Sequence, residues 1–452
     1  MEASPSSQNP SPPALPSRLL PLLFFGWAHV SLLTAFGAFA LLPHRFSQFF
    51  HDPLMLAAVH LVTLGWISAS ILGSFYVIAP LALRLSLPVR SADYGAFAFL
   101  LIGTSSMVWH FWIASTDAMA WAGILVALAL GHFAARALRC LGAARIPACV
   151  KLHFQLAFAN VLAAATLGVL IGFDKQHPFL GGNALSNAYA HAHLAALGWA
   201  LMMVMGASYR LLPMLLPSAM PKGLNLGAGA LLLEVGTLGV CACLLAGSRW
   251  LPLFALIASA AIVLFLRNVA WMRQRPRPSP RHLTRPDYGA LHALQALGYL
   301  GAATALGLIL SFAPESEWSF RLVPVYGALG LIGFLSQMVL GVGARILPMF
   351  AVLHAVAAAP GSAGFRRHSA WQRPLQAAGF WLWTAGVPVL ACGLFWESVS
   401  LLAAAGVLLL VALVLQATVT TTCVGRALWA RRTAIAPPAP DTPRTFTDAS
   451  DP

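Results

Sequence analysis

Apolar segments long enough to cross a lipid bilayer recur along this whole chain. About twelve can be counted in its 452 residues, of which 59% are hydrophobic and only 9% are charged. A bilayer core about 30 Å thick needs a helix of roughly 20 apolar residues. Hydrocarbon offers no partners for backbone N–H and C=O groups, so a segment that spans it must satisfy them internally. The sequence therefore predicts an all-α polytopic membrane bundle of about twelve transmembrane helices.

The distribution of positive charge predicts the orientation of these helices. With the N-terminus inside, 23 of the 27 Lys and Arg residues fall on the inner side. This asymmetry follows the positive-inside rule, so we expect both termini in the cytoplasm and the protein in the inner (cytoplasmic) membrane. The predicted spans are 18–42, 54–80, 92–114, 118–138, 150–173, 186–215, 224–246, 250–272, 287–312, 322–350, 374–396 and 398–425.

The net charge of +14 does not indicate a nucleic-acid-binding protein, because the basic residues follow the membrane topology. The largest basic cluster lies in the inner loop between spans eight and nine, where contact with anionic membrane lipids explains it. The Pro-rich ends, 1–17 and 432–452, are predicted to be disordered tails that flank a membrane domain over 18–431. The basic cluster comprises Arg267, Arg273, Arg275, Arg277, Arg281 and Arg285.

Two predicted spans carry the same motif, which begins with a histidine inside an apolar stretch. Its form is H-x3-L-G-W-x6-G-x2-Y-x3-P, and the second copy starts 133 residues after the first. An ionisable side chain inside a membrane is costly and indicates a functional site by default. Two such histidines at one register predict two ligands at one depth. The copies are His60, Leu64, Gly65, Trp66, Gly73, Tyr76 and Pro80, and His193, Leu197, Gly198, Trp199, Gly206, Tyr209 and Pro213.

A weaker third copy makes the motif part of a repeat. It begins at Ala328, 135 residues after His193, and therefore lacks the histidine. Each interval holds four spans, which places the motif on spans two, six and ten. This period predicts three four-helix units, about 18–140, 150–272 and 287–425, around a pseudo-threefold axis. The matching residues of the third copy are Gly333, Phe334, Gly341, Ala344 and Pro348.

The two motif histidines suit the axial ligation of haem iron. His60 and His193 each lie twenty residues before the motif proline, on the order of 10 Å below the outer end of their spans. Imidazoles that face each other from two helices are a common way to hold a haem. The sequence therefore predicts one bis-histidine haem between spans two and six. Four motif residues are expected beside it: Gly65 and Gly198 at its flat faces, and Trp66 and Trp199 near its edge.

His191 precedes His193 by two residues, which separates the two imidazoles by about 200° around a helix. They cannot both face one centre, but they can serve two sites, one on each side of span six. A single histidine near a helix end more often contacts only a carbonyl or a headgroup, and this alternative stays open for each of them. Weaker candidates are His29 and His110 as second-site ligands, and Glu234 as a proton relay.

The H-x-H pair, the L-G-W triplet and the G-x2-Y-x3-P stretch of span six resemble the haem–copper oxidase subunit I superfamily, and most closely the catalytic subunit of cbb3-type oxidases. That family has twelve helices in three arcs of four. The resemblance implies that His60 and His193 hold a low-spin b-type haem and that His191 is the candidate ligand of a second, neighbouring high-spin haem. The outward position of the histidines suggests electron exchange with a c-type cytochrome or a quinol, and additional membrane subunits are an open question.

The chain departs from that family at the copper site. This site needs two adjacent histidines on one helix, and the chain has no His-His pair, so a copper centre that reduces dioxygen is not expected. We expect a haem protein that transfers electrons or handles a diatomic gas such as dioxygen or nitric oxide; whether it is an enzyme stays open. Two alternatives also stay open: a proton- or metal-coupled transporter, and a non-catalytic assembly subunit whose histidines only pack.

Overall fold

The structure is a computed structural model, and its described residues form twelve helices that are long and apolar enough to cross a membrane. The predicted all-α bundle is therefore confirmed. The predicted tails lie almost entirely outside the described residues, as does Arg281 of the basic cluster. The described ranges are 15–83, 85–223, 225–278, 285–358 and 371–435.

Each predicted span corresponds to one of these helices. Span ten differs most, because it runs over Glu317–Ala357 instead of 322–350. Its polar first turn is stabilised by Ser316, whose side chain accepts a hydrogen bond from the backbone N–H of Ser319. The bounds of spans one to twelve are Leu19–Leu41, Pro53–Ala82, Ser91–Trp112, Met119–Gly142, Ala148–Asp174, Ala184–Leu215, Asn225–Ala246, Leu251–Arg273, Tyr288–Phe312, Glu317–Ala357, Gln372–Phe395 and Val399–Arg426.

Spans two, six and ten form the centre of the bundle, and the other nine surround them in chain order. Spans two and six are the most buried, with 72% and 56% of the residues of their apolar windows inside the protein. Spans one, five and nine pack against spans two, six and ten, respectively, and span twelve packs against span one to close the ring. The arrangement is the pseudo-threefold one that the repeated motif predicts.

Two arginines at corresponding places link successive repeats at the inner end of the central spans. Arg210 Nη2 donates to the carbonyl of Ala82 at 3.0 Å, and Arg345 Nη2 lies 3.5 Å from the carbonyl of Leu215. Ala82 and Leu215 are themselves 133 residues apart, as the first two motif copies are. The arginine of one repeat therefore contacts the last turn of the central helix in the preceding repeat.

Each central span contains a π-helical segment at the same place in its repeat. The segments begin directly after His60, His193 and Ala328. π-Helical turns are rare in proteins overall, but those that occur are often found at functional sites. Because the third repeat keeps the wide turn without a histidine, the turn belongs to the repeat and does not depend on the imidazole. The segments are Leu61–Ser68, Leu194–Leu201 and Leu329–Ser336.

The glycines of the L-G motif lie where a neighbouring helix approaches each π-helical segment. A Cβ atom added at Gly198 would lie 2.7 Å from Asn160 Cγ, and one added at Gly333 would lie 2.7 Å from Tyr299 Cγ. At Gly65 an added Cβ would overlap the side chain of Ser31. These three partners belong to spans five, nine and one, so close helix packing at equivalent positions requires the glycines.

Gly198→Ala is expected to destabilise the bundle. The new Cβ would clash with Asn160, whose Nδ2 is held by Glu234 Oε2 at 2.7 Å and by the carbonyl of Leu156 at 3.0 Å. Overpacking of this kind costs about 1–3 kcal/mol. We expect a lower midpoint of thermal unfolding in detergent. The control Gly131→Ala, where nothing lies within 4 Å of the added atom, should leave the midpoint unchanged or raise it; equal midpoints would contradict the tight contact.

Candidate ligand cavity

A cavity of about 830 Å³ lies among the central spans and their neighbours, toward the end of the bundle that is predicted to face outward. Its volume is within the range of about 300–1,000 Å³ that ligand sites usually have, and its wall is mainly apolar. Four of the seven predicted site residues line it together: His60, His191, His193 and Trp199. Trp199 also links two repeats, because its Nε1 donates to Ser68 Oγ at 3.0 Å.

The other three predicted site residues lie elsewhere. Gly65 and Gly198 pack against spans one and five, as described above, so a neighbouring helix occupies the space that the sequence assigned to a flat ligand. Trp66 faces a second, smaller cavity of about 100 Å³, where it contacts His29 edge to face at 5.2 Å. These residues therefore support the helix packing around the large cavity and do not form its wall.

The three cavity histidines share one hydrogen-bonding pattern. The Nδ1 atom of each lies 2.7–2.9 Å from a backbone carbonyl: Leu56 for His60, Ala164 for His191 and Tyr189 for His193. A carbonyl only accepts, so Nδ1 carries a proton, and in the neutral imidazole Nε2 then keeps its lone pair. This arrangement fixes the tautomer and the ring orientation of a histidine whose Nε2 binds a metal.

His60 faces the part of the cavity between spans two, three and six. Its ring stacks on that of Phe111 from span three, with 5.0 Å between the centroids and 27° between the planes. His60 and His191 both line this cavity, one from the central span of repeat one and the other from that of repeat two. His191 in turn lies against span five, where its Cε1 would be 2.8 Å from a Cβ atom added at Gly168.

His193 faces span ten. Its ring stacks on that of Tyr326 with 5.9 Å between centroids and 24° between the planes, and its Nε2 lies 3.4 Å from the hydroxyl Oη of Tyr326. The two imidazoles of the H-x-H pair therefore contact different neighbours. Tyr326 takes no part in the sequence predictions, although it stands 135 residues after His191, at the corresponding place in repeat three.

The contact between His193 and Tyr326 joins the histidine position of repeat two to the position two residues before the histidine position of repeat three. The corresponding residues at the boundary between repeats one and two are His60 and His191, and both line the cavity. The corresponding residues of the third boundary are Ala328 and Ala58. The equivalent positions of the three boundaries therefore carry different side chains.

The weaker candidates lie outside the large cavity. His29 lines the smaller cavity, and its Nδ1 is 2.7 Å from the carbonyl of Phe25. His110 contacts the carbonyl of Ser106 on its own helix at 2.7 Å. Glu234 accepts a hydrogen bond from Asn160, which in turn packs against Gly198. Through Asn160, the Glu234 carboxyl is linked to span six, and this contact gives Glu234 a structural role.

The outer end of the cavity carries polar groups of both signs. Lys175 follows span five, and Glu315 precedes span ten; both line the cavity mouth. Partial burial lowers the pKa of Lys175 and of His51, and the positive charge of Lys175 lowers the pKa of His51 further. The hydroxyl of Tyr189, also in the cavity wall, is buried and makes no hydrogen bond to any described residue.

In the described part of the chain, no three or more His, Cys, Asp or Glu side chains cluster as a group that could hold a metal ion. A haem needs fewer protein ligands, because its porphyrin nitrogens supply the others. Comparison with models of known protein families gives no match. No curated protein is significantly similar to the chain either.

Proposed function

We propose that this multi-pass membrane protein binds b-type haem in the large cavity and transfers electrons through it. The observation that carries the proposal is the hydrogen-bonding pattern shared by three imidazoles that line one apolar cavity. Each has Nδ1 beside a backbone carbonyl, which in the neutral imidazole leaves the Nε2 lone pair for a ligand. Neutral histidines with a fixed ring are the usual nitrogen ligands of haem iron. The volume and the apolar wall suit a large flat ligand.

We propose His60 as one axial ligand and a histidine of span six as the other. The sequence predicts His193 for this role. We favour His191 instead, because it lines the same cavity as His60 while the Nε2 of His193 lies beside the hydroxyl of Tyr326. His193 and Tyr326 would then form the wall of the cavity at the second boundary, where the sequence allows a second haem or a gas molecule.

The cofactor supplies reversible one-electron chemistry when it is bound, and the protein supplies orientation, exclusion of water and tuning. Two imidazole ligands leave no open coordination position, so electron transfer is favoured over binding of dioxygen or nitric oxide. The position of the cavity toward the predicted outer surface favours exchange with a c-type cytochrome or with a quinol from the bilayer. The predicted location is the inner (cytoplasmic) membrane.

The proposal is tested by the visible spectrum and the pyridine haemochrome assay of the detergent-purified protein, after expression in a host that makes ample haem. We expect close to one b-type haem per chain. Folded protein without haem would refute the proposal. Proton-coupled uptake by such haem-free protein would favour the transporter alternative, whereas a haem-free chain that only stabilises other membrane proteins would favour the assembly subunit.

A further inference from the structure

The mouth of the large cavity contains two groups that suit an acidic ligand. Lys175 lines the cavity together with His51 at the mouth and His60 deeper inside. Tyr189 lies in the same wall, four residues before His193, whose Nδ1 contacts the Tyr189 carbonyl. Both groups can donate hydrogen bonds, and both lie at the end of the cavity that is nearest to the predicted outer surface.

Neither group has an internal partner in the described part of the chain. Lys175 forms no ion pair there. The nearest acid in sequence, Asp174, already accepts the backbone N–H groups of Phe179 and Leu180 at 2.6 Å each. The buried hydroxyl of Tyr189 has no hydrogen-bond partner among the described residues. A buried hydroxyl without a hydrogen-bond partner is destabilising, so a polar ligand atom that pairs with it would stabilise this part of the cavity.

Glu315 is the acidic group that faces the same space. It interacts electrostatically with Tyr189, and its carboxylate is exposed at the start of span ten. An acidic ligand at the mouth is attracted by Lys175 and repelled by Glu315. Because Lys175 and Glu315 carry opposite charges, substitutions at these two residues test the charge of the ligand.

We propose that the cavity mouth is a carboxylate-binding subsite, in which Lys175 and the hydroxyl of Tyr189 bind acidic groups of the molecule that fills the cavity. The inference rests on the proposed function, because haem carries two propionate carboxylates on one edge. The subsite would direct this edge toward the outer surface and leave the apolar edge among the central spans. An ammonium group and a phenolic hydroxyl both form charge-assisted hydrogen bonds to carboxylates.

The test is a titration of full-length protein from haem-limited cells with haem and, separately, with haem dimethyl ester, which lacks the charges. We expect Lys175→Gln to weaken haem binding roughly fivefold to tenfold, and Tyr189→Phe to weaken it by a similar factor. Neither change should affect the ester by more than about twofold. Lys175→Arg should restore haem binding, and Glu315→Gln should strengthen it. The Lys175 effect should shrink at high salt.

Lys222→Gln is the matched control, because Lys222 is exposed in a loop at the inner end and outside the cavity. Equal affinities of the wild type and Lys175→Gln for haem would overturn the subsite, as would an equal loss of affinity for haem and its ester. Normal binding of the ester shows that each variant is folded. Wild-type protein that binds neither haem nor the ester would instead overturn the proposed function.

Discussion

Protein with His60→Ala is expected to lose the low-spin haem spectrum and most of its bound haem. His60 is the motif histidine of repeat one, and its Nδ1 is anchored on the carbonyl of Leu56. Loss of an outer-shell partner already weakens metal binding about 10–100-fold, and removal of the ligand itself should have at least this effect. The expected observation is at least a tenfold lower haem content after purification, with an unchanged yield of folded protein.

His29→Ala is the matched control for this change. His29 is also a histidine in a membrane span with Nδ1 on the carbonyl four residues earlier, but it lines the smaller cavity. We expect the His29 variant to keep its haem and its spectrum. Loss of haem in both variants would indicate that any histidine deletion disturbs the fold. Retention of a normal low-spin spectrum in His60→Ala would refute the assignment of this ligand.

The second large effect is expected at His191 and separates two ligand assignments. If His60 and His191 hold the iron, His191→Ala should remove the low-spin spectrum, and His193→Ala should leave it in place with small changes. If the sequence-based pair of His60 and His193 is correct, the result should be the reverse. Both substitutions remove the same number of atoms from the same turn of span six, so each variant is the control for the other.

The measurement for this comparison is the reduced-minus-oxidised spectrum at equal protein concentration, with haem content from the haemochrome assay. Imidazole added to the medium should restore part of the low-spin spectrum in the variant that lacks a true ligand, since it can occupy the vacated space. Unchanged spectra in both variants would exclude span six as the source of a ligand. Loss of the low-spin spectrum in both variants, with no recovery when imidazole is added, would indicate that the two histidines act in folding.

The architecture follows from the sequence because hydrophobicity and the repeat act over long segments. The apolar runs locate the spans within a few residues. The motif origins 60, 193 and 328 identify spans two, six and ten as equivalent, and these spans form the centre. Span ten was predicted too short because Glu317 and Arg321 lie in its first turns, where a polar cap extends the helix beyond the apolar run.

The details of the site depend on helix rotation, which the sequence does not specify. The π-helical segments change the direction of the side chains that follow the histidines. A projection of the sequence on a regular α-helix therefore gives the wrong directions for these side chains. The roles predicted for Gly65 and Gly198 required an open face, but Ser31 and Asn160 fill it. Tyr326 occupies the place of His191 within the repeat, so the repeat period could have predicted its position; a motif defined by histidines does not include it.

The three boundaries between the central spans show how a symmetric bundle can hold one asymmetric site. The repeat supplies similar wide turns and similar glycine contacts in each unit. The residues at the paired positions then differ: two imidazoles at the first boundary, an imidazole and a phenol at the second, and two methyl groups at the third. A two-imidazole ligand set is therefore available at the first boundary, and the proposed electron-transfer centre is assigned to it.

The most direct test of the bis-imidazole haem is the low-temperature electron paramagnetic resonance spectrum of the oxidised wild-type protein, purified from cells that make ample haem. Two imidazole ligands produce low-spin ferric iron, so we expect a low-spin haem signal from nearly all of the bound iron. The signal should disappear in His60→Ala and in His191→Ala and persist in His29→Ala. Folded protein without haem, or with only a high-spin signal, would contradict ligation by two imidazoles.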